Sequence, residues 1–162
     1  MKVIFSKPSG TNLKISRKKL SGLLSKVATL IKLKISPTQK VSVAFVSFSK
    51  IAEINEKYVG HKGITDVISF DYRDADTLYD ETDIIAEIIV SYEKAFFEVQ
   101  KRENTSFADE LTLYIVHGLL HIHGFDDSTS EERKKMRRAE RKVISVLKTE
   151  FDLSEIFYFD VK

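Results

Sequence analysis

Hydrophobic residues recur along this chain with two different periods, and the change of period marks out most of its elements. Val3, Ile4 and Phe5 open a short predicted strand, and Pro8, Ser9, Gly10 and Thr11 read as a turn. From Ser16, a predicted N-cap, Leu20, Leu23, Leu24, Val27, Leu30 and Ile31 fall at helical spacing. That helix is expected to run to about Lys34, with its basic residues between the apolar ones. Pro37 ends the region. The β-branched and aromatic run from Val41 to Phe48 predicts a strand. Ile51 to Tyr58 predicts a short helix, Gly60 and Gly63 bracket a loop, and Ile64 to Tyr72 predicts another strand. Residues 73–82 are acidic and turn-like. Ile84 to Val90 is apolar on both faces apart from Glu87, the pattern of a buried central strand.

Three helices are expected after it. The first spans about Ser91 to Arg102. The second is capped by Ser106, with Asp109 at its third position. It ends at Gly124, suited to a left-handed C′ position, and Phe125 folds back on it. The third follows Ser128, which pairs with Glu131 as a capping box, and reaches about Lys148. The aromatic tail from Phe151 to Lys162 is expected to pack on the body. Strands early and helices mostly late predict an α+β fold. We expect one domain over residues 1–162, with a small mixed sheet of three to four strands and about five helices.

Composition agrees and narrows the chemistry. A chain of 162 residues, 43% apolar and 31% charged, suits one globular domain. The first residues lack the apolar run of a signal peptide, and no stretch reaches the ~18 apolar residues of a spanning helix. No membrane association is expected, and a cytoplasmic location is. The absence of cysteine rules out disulfides and thiolate ligands, so any metal must be held by His, Asp or Glu. The net charge of +2 is unevenly spread. Met1 to Lys50 contains no acid and eleven basic residues. That segment suits a polyanion such as RNA, and it equally suits a solvated helix face.

The chemistry concentrates between Val116 and Asp127, which hold three of the four histidines. His117 and His121 are one helical turn apart, with β-carbons roughly 5–6 Å from each other. Two imidazoles so placed reach one ion at about 2.0–2.1 Å. Gly124 then turns the chain, and Asp127 closes the set with an oxygen. Three protein ligands leave a position open for water, as in catalytic zinc sites. Two hydrogen-bonded core histidines are the competing reading, against which the glycine turn and the following acid weigh. Asp126 competes with Asp127 for the third position, and His123 points to another face. Gly118 stands where H-E-x-x-H peptidases carry their general base.

The run His117-Gly118-Leu119-Leu120-His121 with Gly124-Phe125-Asp126 resembles the H-G-x-L-H-x-x-G-Y-D-H signature of the YbeY family. Upstream, Asn55-x-x-Tyr58 and Thr65-Asp66-Val67-Ile68-Ser69-Phe70 are similar to that family's N-x-x-Y-R and T-D-V-L-S-F patterns. The resemblance covers roughly Val41 to Val146. It implies a single α+β domain with a metzincin-like metal helix and one Zn2+ held by His117, His121 and Asp127. It implies a single-strand-specific endoribonuclease acting in ribosomal RNA maturation, at the 3′ end of 16S RNA, and in ribosome quality control. Ribosomal RNA, the small ribosomal subunit and a ribosome-assembly GTPase are the implied partners.

Three departures qualify it. The third ligand of the family is usually His, where this chain has Asp127. The family's Arg after the tyrosine is matched by Val59, which leaves His61 and Lys62 as candidate catalytic cations. The family's Gly-Asp-Ile is Ala86-Glu87-Ile88 here. Thr65, Asp66 and Ser69 either face a substrate cleft or satisfy local backbone. Two other functions stay open: a metzincin-like zinc peptidase, lacking its base, and a non-catalytic ribosome-assembly factor braced by a structural metal.

Overall fold

The computed structural model describes residues 1–74 and 84–159. In chain order the elements are β1 (Lys2–Ser6), β2 (Leu13–Ile15), α1 (Arg17–Leu30), β3 (Lys40–Val46), α2 (Phe48–Ile54), a π-helical turn (Asn55–Val59) and β4 (Val67–Asp71). They continue with β5 (Ile84–Ser91), α3 (Tyr92–Lys101), α4 (Phe107–His123), α5 (Ser130–Glu150), a 3-10 turn (Leu153–Glu155) and β6 (Phe157–Phe159). Four strands form one sheet in the order β1-β3-β5-β4. β1, β3 and β5 are parallel, and β4 runs antiparallel to β5 at the edge. The apolar run of Ile84 to Val90 thus lies on an inner strand, as its two-faced pattern requires. The α+β expectation holds, with five α-helices and a mixed sheet among the described residues.

Several boundaries moved for identifiable reasons. α1 stops at Leu30, short of Lys34, because Lys32 adopts a left-handed φ of 57°. The Leu33 amide then donates back to the Ala28 carbonyl at 2.8 Å. β3 stops at Val46 because Ser47 caps α2, accepting from the Lys50 amide. The third late helix is capped by Thr129 and Glu132, one residue beyond the Ser128–Glu131 pair. Asp126 Oδ1 accepts from the Ser128 amide, which ties Ser128 into the preceding turn. The tail does pack, and it adds a strand: β6 pairs antiparallel with β2. Of the acidic stretch 73–82, residues 75–82 lie outside the described residues, as do 160–162 of the tail. No described helix is long and apolar enough to cross a membrane.

α4 is the hub. It buries Leu111, Ile115, Val116, Leu119, Leu120 and Ile122 among others, so it is apolar on nearly every side. It contacts α1, α3 and α5 as well as β4, β5 and β6. Its capping box forms as expected, with Ser106 and Asp109 bonding each other's amides. Burial would raise the Asp109 pKa, but Lys148, 3.0 Å away, and the Ser106 bonds hold it below the usual carboxylate range. A depressed folded pKa contributes stability above the unfolded value and loses it as pH falls. Asp109→Ala should therefore cost about 1 kcal/mol at neutral pH. Denaturant titrations should show that deficit shrinking below about pH 4.

Candidate metal centre

His117 and His121 leave α4 on one face, and the loop after Gly124 returns Asp127 to them. Gly124 takes a φ of 113°, which lets the Phe125 amide donate to the Leu120 carbonyl at 3.0 Å. The two imidazole Nε2 atoms stand 2.9 Å apart, and Asp127 Oδ2 lies 3.5 Å from each. Donors about 2.1 Å from one ion at tetrahedral angles stand roughly 3.4 Å apart. The triangle brackets that separation.

The other nitrogen of each ring is also engaged. His117 Nδ1 donates to Glu140 Oε1 at 2.5 Å, and His121 Nδ1 donates to the Phe125 carbonyl at 3.0 Å. A carboxylate and a carbonyl can only accept, so both protons sit on Nδ1 in the neutral rings. Both Nε2 lone pairs then face each other and the Asp127 carboxylate. Three electron-rich atoms around one point suit a cation, and this chemistry fits a divalent metal. Burial pulls the His117 pKa down, but Glu140 above all, then Asp66 and Asp127, outweigh it and hold it above the ordinary histidine value.

Glu140 is the positioning residue that sequence reasoning missed. It arrives from α5, and its side chain is only 13% exposed. One signal was available: it is the lone acid between Arg133 and Lys142, where seven residues are basic. Glu140→Gln, which keeps an acceptor and removes the charge, should weaken metal binding about 10–100-fold. Titration with a competing chelator would measure this. Unchanged affinity would mean that Glu140 merely fills space.

The rivals for the third position are placed elsewhere. Asp126 is exposed and turns its Oδ1 to the amides of Asp127 (2.7 Å) and Ser128 (3.3 Å). It shapes the loop that delivers Asp127. Arg133, also missed from sequence, holds the same loop by donating to the carbonyls of Asp127 (3.2 Å) and Ser128 (3.0 Å). His123 is exposed and tilts against Phe125, away from the cleft.

The three converging side chains open into a cleft of about 330 Å3, which Val59, His61, Thr65, Asp66 and Ser69 also line. Lys62 is exposed and is not among the lining residues. Asn55 is buried and braces this rim. Its Nδ2 donates to the Gly63 carbonyl at 3.1 Å, and its carbonyl accepts from the His61 amide at 3.2 Å. Asp66 Oδ1 accepts from Val67 N–H at 2.8 Å and from Thr65 Oγ1 at 3.2 Å, so this pair serves the local backbone while lining the cleft. Glu87 accepts from the Tyr72 hydroxyl at 3.0 Å and does not line the cleft.

Gly118 explains the departure from H-E-x-x-H. A Cβ there would lie 2.8 Å from Ile88 Cγ2 and 2.9 Å from Ser69 Oγ. α4 approaches the sheet so closely here that even a methyl group would force its neighbours to shift. A longer side chain, such as the Glu of H-E-x-x-H, would be more crowded still.

An α+β fold that offers two imidazoles from one helix and a carboxylate from the next loop to a single point has the donor set of a mononuclear metal-dependent hydrolase. The family model described as endoribonuclease YbeY matches residues 7–148, and the chain belongs to that family. An endoribonuclease YbeY of Thermodesulfovibrio yellowstonii is 38% identical over 109 residues, covering 67% of each chain. One from Syntrophomonas wolfei is 36% identical over 131 residues, covering 76% of this chain and 81% of its own. A Thermotoga maritima protein of known solution structure shares the fold, with a TM-score of 0.53, 24% identity and 92% coverage of both chains.

Proposed function

We propose that this protein is a zinc-dependent endoribonuclease that cuts single-stranded RNA during ribosomal RNA maturation. The observation that carries the reading is the convergence of His117, His121 and Asp127 within 4.8 Å of one another, at the floor of an open cleft in a chain of this family. Two nitrogens and one oxygen form a zinc-type donor set with a coordination position left open. A bound divalent ion supplies Lewis acidity toward a phosphate oxygen and lowers the pKa of water near pH 7.

The remaining work falls to the chain. Glu140 and the Phe125 carbonyl keep both Nε2 lone pairs aimed at one point. Arg133 and Asp126 hold the Asp127 loop in register with them. Asn55 fixes the rim that carries Val59 and His61. His61 is the candidate proton donor to a leaving oxygen, since it lines the cleft and Lys62 does not.

The same reading places the protein in the cytoplasm as a single domain over residues 1–162. It acts on the 3′ end of 16S RNA in the small ribosomal subunit, in ribosome quality control as well as maturation, beside a ribosome-assembly GTPase. The peptidase alternative is disfavoured by the crowding at Gly118. The test is cleavage of a labelled 16S precursor by metal-loaded protein, with elemental analysis of the same sample. Cuts near the mature 3′ end that a chelator abolishes and zinc restores support the reading. Intact RNA with tightly bound metal, and a melting point that falls on chelation, would leave a structural metal instead.

A further inference from the structure

α5 carries seven basic residues from Arg133 to Lys142. Its fold-forming contribution is the opposite stripe, where Met136, Val143 and Leu147 are buried. Cations three and four apart on a helix repel each other by a few tenths of a kcal/mol per pair (about 0.2–0.5). That repulsion is offset only where a cation of the array finds a partner. Glu140, the acid within it, is taken by His117. Arg133 bonds carbonyls, and Lys134 lies 3.8 Å from Glu131. Lys135, Arg137, Arg138, Arg141 and Lys142 are exposed and have no ion pair among the described residues.

The basic first third offers less than its composition suggests. Lys19 pairs with Glu155, Lys26 with Glu150 at 2.8 Å, and Lys50 with Glu53 at 3.1 Å. α5 concentrates five cations, unpaired among the described residues, within residues 135–142, and part of that charge is directed. Arg133, Arg137 and Arg141 repeat every four residues, so they form an inclined row with β-carbons about 5–6 Å apart. The row starts at Arg133, which bonds the loop that carries Asp127, and runs beside Glu140, which touches His117. Arg137 and Arg141 then line, with Glu140, a groove of about 450 Å3 between α5 and the Asp109–Leu113 side of α4. Glu140 links this groove to the metal cleft, since it lines the first and bonds His117 of the second.

We propose that the Arg137–Arg141 edge of α5 binds the sugar-phosphate backbone of the RNA strand that enters the His117–His121–Asp127 cleft. The identity of the polyanion rests on the endoribonuclease reading, and the position of the edge does not.

The test uses the full chain, chelator, and a fluorescent single-stranded RNA of mixed sequence, titrated at several salt concentrations. Arg137→Gln/Arg141→Gln is compared with Lys135→Gln/Lys142→Gln, the same charge change on the other flank of α5. The first pair should lower the slope of log affinity against log salt by about 1.4 and weaken low-salt binding roughly tenfold. The second pair should change neither, and both should melt like the parent. Equal slopes for parent and first pair would overturn the proposal. So would equal losses from both pairs, which mean diffuse charge, or a loss seen only on phosphatidylglycerol vesicles. Cleavage by the metal-loaded parent is scored separately. A cleaving parent with no slope difference removes the edge and keeps the endoribonuclease. A slope difference without cleavage does the reverse.

Discussion

His121→Ala is expected to abolish metal binding and to lower RNA cleavage by about a thousandfold or more, roughly 4 kcal/mol of barrier. His121 Nε2 is 2.9 Å from His117 Nε2 and 3.5 Å from Asp127 Oδ2, so its removal opens the triangle on two sides. The remaining pair, one imidazole and one partly exposed carboxylate, cannot enclose an ion. Asp127→Ala should fall to a similar level, because residues that act as one unit do not add their losses. The double variant should be no worse than either single one. Elemental analysis and single-turnover cleavage would measure both properties. Metal-free His121→Ala protein that still cut RNA at the parent rate would sink the metal-dependent mechanism.

That pair was legible in the sequence because helical geometry converts a spacing of four into adjacency, with no other information needed. Gly124 was legible for a related reason, since a left-handed glycine ends the helix and a short loop must then return along it. The acid was legible only as Asp127 or its rival Asp126, and the folded loop brings Asp127 to the histidines. Glu140 and Arg133 were not legible. They reach the site from α5, and nothing in local spacing says which flank of α5 lies against His117. The one-residue slip of the α5 cap has a similar origin. Two Ser/Thr–Glu pairs overlap there, and only the folded loop shows Asp126 occupying the Ser128 amide. β2 and β6 are three residues each. They are too short for any period to register, and they exist because each pairs with the other across the length of the chain. The inner strand and the capping box of α4 were readable in full, because both depend on side chains close in sequence.

Gly118→Ala separates the two roles of the helix that carries the histidines. In an exposed helix this change stabilises by about 1 kcal/mol through propensity. Here the new Cβ would meet Ile88 Cγ2 at 2.8 Å, Ser69 Oγ at 2.9 Å and Val67 Cγ2 at 3.4 Å. Ile88 lies on an inner strand and is fully buried, so it has little room to give. Overpacking of this kind costs about 1–3 kcal/mol, which offsets or exceeds the propensity gain. The expected result is a net loss of stability of up to about 2 kcal/mol, with weakened metal binding as α4 lifts from β4 and carries His117 and His121 away from Asp127. Ser69 offers a check on the cause. Its hydroxyl is buried without a hydrogen-bond partner among the described residues, so Ser69→Ala alone should be nearly neutral. Combined with Gly118→Ala it removes one of the two closest atoms and should recover part of the loss. Denaturant melts of the four proteins give that coupling directly. A Gly118→Ala protein more stable than its parent would show that the close approach of α4 is not what demands glycine beside His117.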